Sequence, residues 1–199
     1  MTIIEVQSAA ATITQRQRWG HYFALIYAVL VIIIGINLRD SAVNSVTAYS
    51  NSQAGIRALY PQRWLIDTEG DYVFRVRNLA SAGYKTTIQV AIEPVAATTS
   101  IRNLVDSLTL IRSQQFAEYK PLSRQSVLLA ADREALQVEY AYVTSGDNVF
   151  LETLPIVVEG IDVIVIQRGQ AVIISFLSDA DTFEENLPIF ERFLDDLTF

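Results

Sequence analysis

From Tyr22 to Leu38 the chain reads YFALIYAVLVIIIGINL without a charged side chain, and no other feature restricts the fold so strongly. At about 1.5 Å of helical rise per residue, the segment 19–39 spans the roughly 30 Å of hydrocarbon in a bilayer. Helices of soluble cores usually keep a polar face, and this run has none, which argues against burial inside a globular particle. Trp19, Tyr22 and Tyr27 stand toward its N-terminal end, where amphipathic rings favour the headgroup level. Arg16 and Arg18 precede the run, whereas Arg39 is followed at once by Asp40 and the next basic residue is Arg57. Positive charge collects on the cytoplasmic side of a span. The expected topology is therefore a short cytoplasmic tail over 1–18, one helix over 19–39 crossing the lipid bilayer of the cell membrane, and an extracytoplasmic C-terminal domain. A cleaved signal peptide competes with a retained anchor, because Val46-Thr47-Ala48 has the small-residue pattern that signal peptidase accepts. That tripeptide lies well past the apolar run, and the run is longer than most signal sequences carry.

The chain has 199 residues, enough for one well-buried core but not for several domains. Its formal net charge is -7, and since Arg16, Arg18 and Arg39 flank the apolar run, the remainder is more acidic than the whole. An acidic domain repels phosphate backbones, so nucleic acid is excluded as an expected partner. Cysteine is absent, which rules out disulfides, thiolate nucleophiles and thiolate metal sites. The compartment must then be inferred from topology alone.

Residues 40–55 are rich in Ser, Asn and Ala with little periodicity, and the expectation there is a linker or a frayed extension of the anchor. Over 56–199 period-two patterns dominate. Tyr72, Phe74 and Val76 alternate with Val73, Arg75 and Arg77; Ile88, Val90 and Ile92 form a second strand ended by Pro94; Leu136, Val138, Tyr140 and Tyr142 form a third, before a turn at Ser145 to Asn148. Ile156 to Val158, Ile161 to Gln167 and Ala171 to Leu177 are β-branched apolar runs, the last two joined as a hairpin through Arg168-Gly169. A helix is expected after the N-cap candidate Ser100, with Ile101, Leu104, Val105, Leu108 and Ile111 on one face. A second is expected from Asp181, with Glu184 completing a capping box, an apolar stripe of Phe183, Leu187, Phe190, Leu194 and Leu197, and a kink or a new turn at Pro188. The fold class is α+β: a transmembrane helix followed by an α/β/α sandwich with a central, largely antiparallel sheet.

The element Tyr60-Pro61-Gln62-Arg63-Trp64, opening an antiparallel domain, resembles the start of PsbP-like domains. The helix after Ser100, the Leu154-Pro155 lead into a strand, and the closing segment Phe183 to Phe199 with Asn186-Leu187-Pro188 are similar to that family in order and spacing. The resemblance covers Ile56 to Phe199. It implies a fold shared with a small nuclear-import accessory protein that binds the Ran GTPase. It also implies a non-enzymatic module that docks on a larger assembly, as the extrinsic photosystem II protein does on the lumenal side of its membrane complex. The chain departs from the soluble chloroplast members by carrying what looks like a bacterial membrane anchor.

Catalytic signatures are missing from the sequence. His21 is the only histidine and sits at the membrane boundary, so neither a zinc site nor a Ser-His-Asp triad built on Ser123, Ser126 or Ser175 is expected. Asp179, Asp181, Glu184 and Glu185 offer oxygens that calcium uses, yet they lack the Asp-x-Asp-x-Asp-Gly spacing and suit a helix N-terminus. Asp195 and Asp196 are adjacent on a helix and point in different directions, and no Gly-rich phosphate loop is present. No catalytic residue, cofactor or metal is expected. Tyr60 and Trp64, if exposed, would form an aromatic recognition surface, with burial of Trp64 in the core as the competing reading. Arg75 and Arg77, on the wet face of a strand, would pair with acidic partners, with solvated surface arginines as the default reading. The expected role is an accessory module that aids assembly or stability of a membrane protein complex. A domain that binds a small ligand or cation is the competing role and requires a concave pocket with converging polar groups.

Overall fold

A computed structural model of the chain describes residues 15–129, 133–145 and 154–199, so most of the turn expected after Ser145 falls outside the described residues. The chain divides into a unit that ends at Ser45 and a second unit, Val46–Phe199. The first contains helix α1, Gln15–Val43. Within it Trp19–Arg39 has a mean hydropathy of 2.2 and no buried residue, so the helix is long and apolar enough to cross a membrane and presents its apolar side chains outward. The rings of Trp19 and Tyr22 meet edge to face at 6.5 Å. Asn37 donates its side-chain amide to the Ile33 carbonyl at 2.9 Å, which satisfies a polar group that hydrocarbon would leave unpaired.

The second unit opens with a hairpin of β1, Val46–Asn51, and β2, Ile56–Pro61. Of the two expectations for 40–55, the helical extension holds as far as Val43, where α1 ends, while the linker is replaced beyond it by strand and turn. Only Tyr49 of β1 enters the core, its ring 4.3 Å from Phe74 and its hydroxyl donating to the Val73 carbonyl at 3.1 Å. The strand owes its existence to pairing with β2, whose Ile56, Ala58 and Tyr60 are buried, and a Ser/Asn/Ala segment advertises no such pairing. Asn51 shapes the turn by accepting the N–H groups of Gln53 and Ala54, both at 3.0 Å, and Gly55 supplies a φ of 70°.

The main sheet has seven strands in the order β3-β4-β5-β9-β8-β7-β6 and is antiparallel throughout. Its members are β3 Leu65–Asp67, β4 Phe74–Arg77, β5 Thr87–Pro94, β6 Ala117–Leu129, β7 Arg133–Thr144, β8 Ile156–Gln167 and β9 Gln170–Asp179. The expected β8–β9 hairpin turns through Arg168 and Gly169 at φ of 52° and 74°, the two left-handed residues of a type I′ turn. The two runs expected at Ile156 to Val158 and Ile161 to Gln167 are one continuous strand, with Glu159 and Gly160 inside it. β6 has no counterpart in the sequence reading. It is an edge strand with two register shifts and Pro121, and exposure interrupts its alternation.

Helix α2, Ile101–Gln115, starts where expected: Ser100 Oγ accepts the Asn103 N–H at 3.2 Å. Leu104 and Val105 are buried against Ala91, Val138, Ile164 and Ile173, whereas Ile111 is 45% exposed and lies off the contact face. The opposite sheet face carries helix α3, Phe183–Asp196, and the β1–β2 hairpin over Phe74, Val76, Ile88, Val163, Ile174 and Phe176. The cap of this region differs from the expected capping box. Asp179 accepts the Asp181 N–H at 3.1 Å and starts a 3-10 turn, Ala180–Thr182; α3 follows from Thr182, which makes no side-chain cap bond. Pro188 lies inside α3, which continues through it, and Phe193, absent from the expected stripe, is buried with Phe183 and Phe190. Helices on both faces bury both sides of β8 and β9, which is why those strands read as nearly unbroken apolar runs.

Candidate functional site

Tyr60 and Trp64 do not form a surface. They are 8% and 7% exposed and belong to the core beneath α3, so the aromatic recognition surface is replaced by the core reading. The burial follows from the hairpin: Tyr60 shares the inward side of β2 with Ile56 and Ala58, and the Trp64 N–H turns back to the Pro61 carbonyl at 3.0 Å.

Arg75 and Arg77 stand as the alternation requires, opposite in direction to buried Phe74 and Val76, with side chains 30% and 37% exposed. Cross-strand register sets Asp67 of β3 directly opposite Arg75. Its carboxylate accepts Arg75 Nη2 at 2.7 Å and the Glu69 backbone N–H at 2.9 Å, while Arg77 Nη2 stands 3.9 Å away. The Tyr72 hydroxyl lies 2.7 Å from Asp67 Oδ2 and 2.6 Å from the Glu69 carbonyl, and its single proton serves one of them at a time. The Arg75 guanidinium also lies over the Tyr72 ring, 4.6 Å from its centroid. The Glu69 N–H above all, then the Tyr72 hydroxyl and Arg75, hold the Asp67 carboxyl far below the usual carboxylate range. Burial, reinforced by the bond to Asp67, pushes the Tyr72 phenol up. Two cations thus share one anion among the described residues, each with a part-exposed guanidinium. Donors of this kind suit a carboxylate or another planar oxyanion.

Sequence reasoning found these arginines but not Asp67 or Tyr72. Nothing local separates Asp67 from Glu69 and Asp71; the β3–β4 register selects it. A second polar group went unseen as well. Asp162, 2% exposed, pairs with Arg112 of α2, and the Tyr140 hydroxyl reaches Asp162 Oδ1 at 3.3 Å. Arg112 lies 4.6 Å above the Tyr140 ring. The pair clamps α2 to the sheet. The available signal was one acidic residue inside the apolar run Ile161 to Gln167.

An open groove of about 870 Å³ lies between the start of α2 and strands β6 to β8, with Arg102, Arg133 and Gln167 around Leu136 and Val165. Gln167 Oε1 is buried there without a partner. Among the described residues, no group of three or more His, Asp or Glu is placed to hold a metal ion, and the Asp179 to Glu185 cluster serves the turn before α3 instead.

No family model matches the sequence, and no curated protein is similar to it at the sequence level. Solved structures are similar in three dimensions. Cyanobacterial PsbP from Synechocystis aligns over 77% of this chain and 92% of its own at 16% identity, with a TM-score of 0.58. The fold is PsbP-like. LpqN of Mycobacterium tuberculosis, described as involved in cell envelope biogenesis, aligns over 77% of this chain and 90% of its own at 12% identity and a TM-score of 0.53. PA94 of Pseudomonas aeruginosa, of unknown function, aligns over 78% and 98% at 12% identity and a TM-score of 0.52. At these identities the likeness establishes the PsbP-like fold alone.

Proposed function

We propose that this protein is a non-catalytic accessory module, anchored by α1 in the cell membrane with its N-terminus cytoplasmic and its PsbP-like domain outside, that docks on a subunit of a membrane protein complex and aids its assembly or stability. The observation that carries the reading is the Arg75–Arg77 pair, two part-exposed guanidinium groups that share the single carboxylate of Asp67. An acidic loop of a partner subunit would complete their coordination. The domain contains no histidine, so imidazole acid–base chemistry is not available to it. Retention of the anchor is supported by β1: cleavage after Ala48 would remove the residues paired with Leu59, Tyr60 and Pro61.

The test is co-isolation of the full-length protein from native membranes in mild detergent, comparing wild type with Arg75→Gln/Arg77→Gln. A partner that is recovered with wild type, lost with the double glutamine variant and regained in part with Arg75→Lys/Arg77→Lys is the expected result. Isolation of the wild-type protein alone at stoichiometric yield, or a partner indifferent to the glutamines, would overturn the proposal.

A further inference from the structure

Helix α3 packs toward β9 and β2, and along its other side a groove of about 200 Å³ runs between α3 and strands β7 and β8. Ile161, Leu187 and Leu194 give the groove an apolar lining, and Leu122 of β6, 52% exposed, adds an outer lip. Four glutamates line it: Glu139 and Glu159 from the sheet, Glu184 and Glu191 from the helix. Register explains the gathering. Glu139 lies opposite Ile161 across the β7–β8 ladder, and Glu159 precedes Ile161 by one strand period, so both face α3.

Among the described residues, no ion pair compensates these charges. The ion pairs among the described residues use Asp67, Asp106 and Asp162, and none involves a glutamate of the groove. Among the described residues Glu139 receives the Gln137 side-chain amide, at 3.1 Å. Burial, then the charges of Glu184 and Glu139, push the Glu159 carboxyl up, as expected where like charges gather uncompensated. The carboxylates are too dispersed to hold a metal ion, since no group of three is so placed among the described residues. A spread of cationic groups on one ligand fits better than a point charge.

The spacing narrows the choice. Glu184 and Glu191 are separated by two helical turns, about 10.5 Å along the axis. A second helix laid beside α3 matches that with basic residues at i and i+7 and apolar residues at i+3 and i+4 entering the groove. We propose that the groove beside α3 docks a basic amphipathic helix of a partner protein. The site faces away from Arg75 and Arg77, which lie on the other side of the sheet, and it stands or falls independently of that surface.

The probe is a labelled helical peptide with lysine at i and i+7 and leucine at i+3 and i+4, titrated by fluorescence anisotropy into the full-length protein in neutral maltoside micelles. Glu184→Gln/Glu191→Gln and Glu139→Gln/Glu159→Gln should each weaken binding about tenfold, the effect of removing two charge pairs of ordinary strength. Glu185→Gln/Asp195→Asn, outside the groove, and Arg75→Gln/Arg77→Gln should leave it unchanged, whereas replacing the peptide lysines by glutamate should abolish binding. Trp64 emission confirms that each variant is folded. Absence of binding, or equal affinity across all variants, would sink the proposal. So would a calcium-dependent rise in the thermal midpoint that the groove variants abolish, because the glutamates would then be gathering a cation.

Discussion

Replacing Gly160 with alanine places a methyl group where Tyr140 already lies. A Cβ built on Gly160 would stand 2.6 Å from Tyr140 Cζ, 2.7 Å from Cε2 and 2.9 Å from a Leu177 methyl, all inside van der Waals contact. The ring has little room to yield. Tyr140 is 1% exposed, with Tyr119 at 5.4 Å and Arg112 at 4.6 Å between centroids or charge centre, and its hydroxyl is bonded to Asp162. Overpacking of a core costs about 1–3 kcal/mol. Displacing the ring from Asp162 adds about 1 kcal/mol. Alanine in a strand offsets roughly 0.5–1 kcal/mol of this by restricting the unfolded chain. The net loss is about 2 kcal/mol, which at a urea dependence of about 2 kcal/mol per molar lowers the midpoint by about 1 M. Trp64 emission reports the transition in micelles, with Trp19→Phe removing the signal from α1. In a Tyr140→Leu background the same Gly160→Ala change should cost markedly less, because the two closest atoms it strikes are gone and only the Leu177 methyl, the end of a flexible side chain, remains. An unchanged midpoint for Gly160→Ala, or the same loss in both backgrounds, would refute the steric account.

The Arg112–Asp162 pair gives a second test: Asp162→Leu leaves a buried guanidinium uncompensated and should cost about 3–5 kcal/mol, while Asp162→Leu/Arg112→Met should recover much of it in the same urea assay. Burial pushes Tyr140 up to about 12, so its proton is held by the folded protein after the unfolded chain has released it near its ordinary pKa of about 10. Its contribution is complete below the unfolded value and is lost as pH rises through the folded one; a rise in phenolate absorbance that coincides with loss of the Trp64 signal is the expected observation. Asp67 has the opposite sign. Its depressed carboxyl stabilises the fold above the ordinary carboxylate range and loses that effect as pH falls toward the folded value, so Asp67→Asn should flatten the acid limb of a thermal-midpoint profile.

Legibility in the sequence followed how local each signal is. The Ser100 cap, the apolar face of α2 around Leu104 and Val105, and the Arg168-Gly169 turn depend on neighbours within a few residues, and all stand in the structure as expected. β1 and β6 were missed because neither presents a buried side chain and each is held by pairing with a strand whose pattern is stronger. The wet placement of Arg75 and Arg77 followed from alternation, yet their shared partner Asp67 followed only from register. Tyr60 and Trp64 illustrate another case: the sequence favours a core place for Trp64 over a recognition surface, and the hairpin and α3 packed over the pair bury both.

By itself, then, the sequence determined that one uncharged helix precedes an acidic, cysteine-free α+β domain, and where most of its helices and strands lie. Side-chain periodicity and turn chemistry carry that information within each element. Only the tertiary structure decided which charges meet: Arg112 with Asp162 across helix and sheet, and Glu159 with Glu184 and Glu139 around a groove. Those encounters depend on strand order and helix placement, which minimise the free energy of the whole chain and leave no mark on the residues flanking each charge.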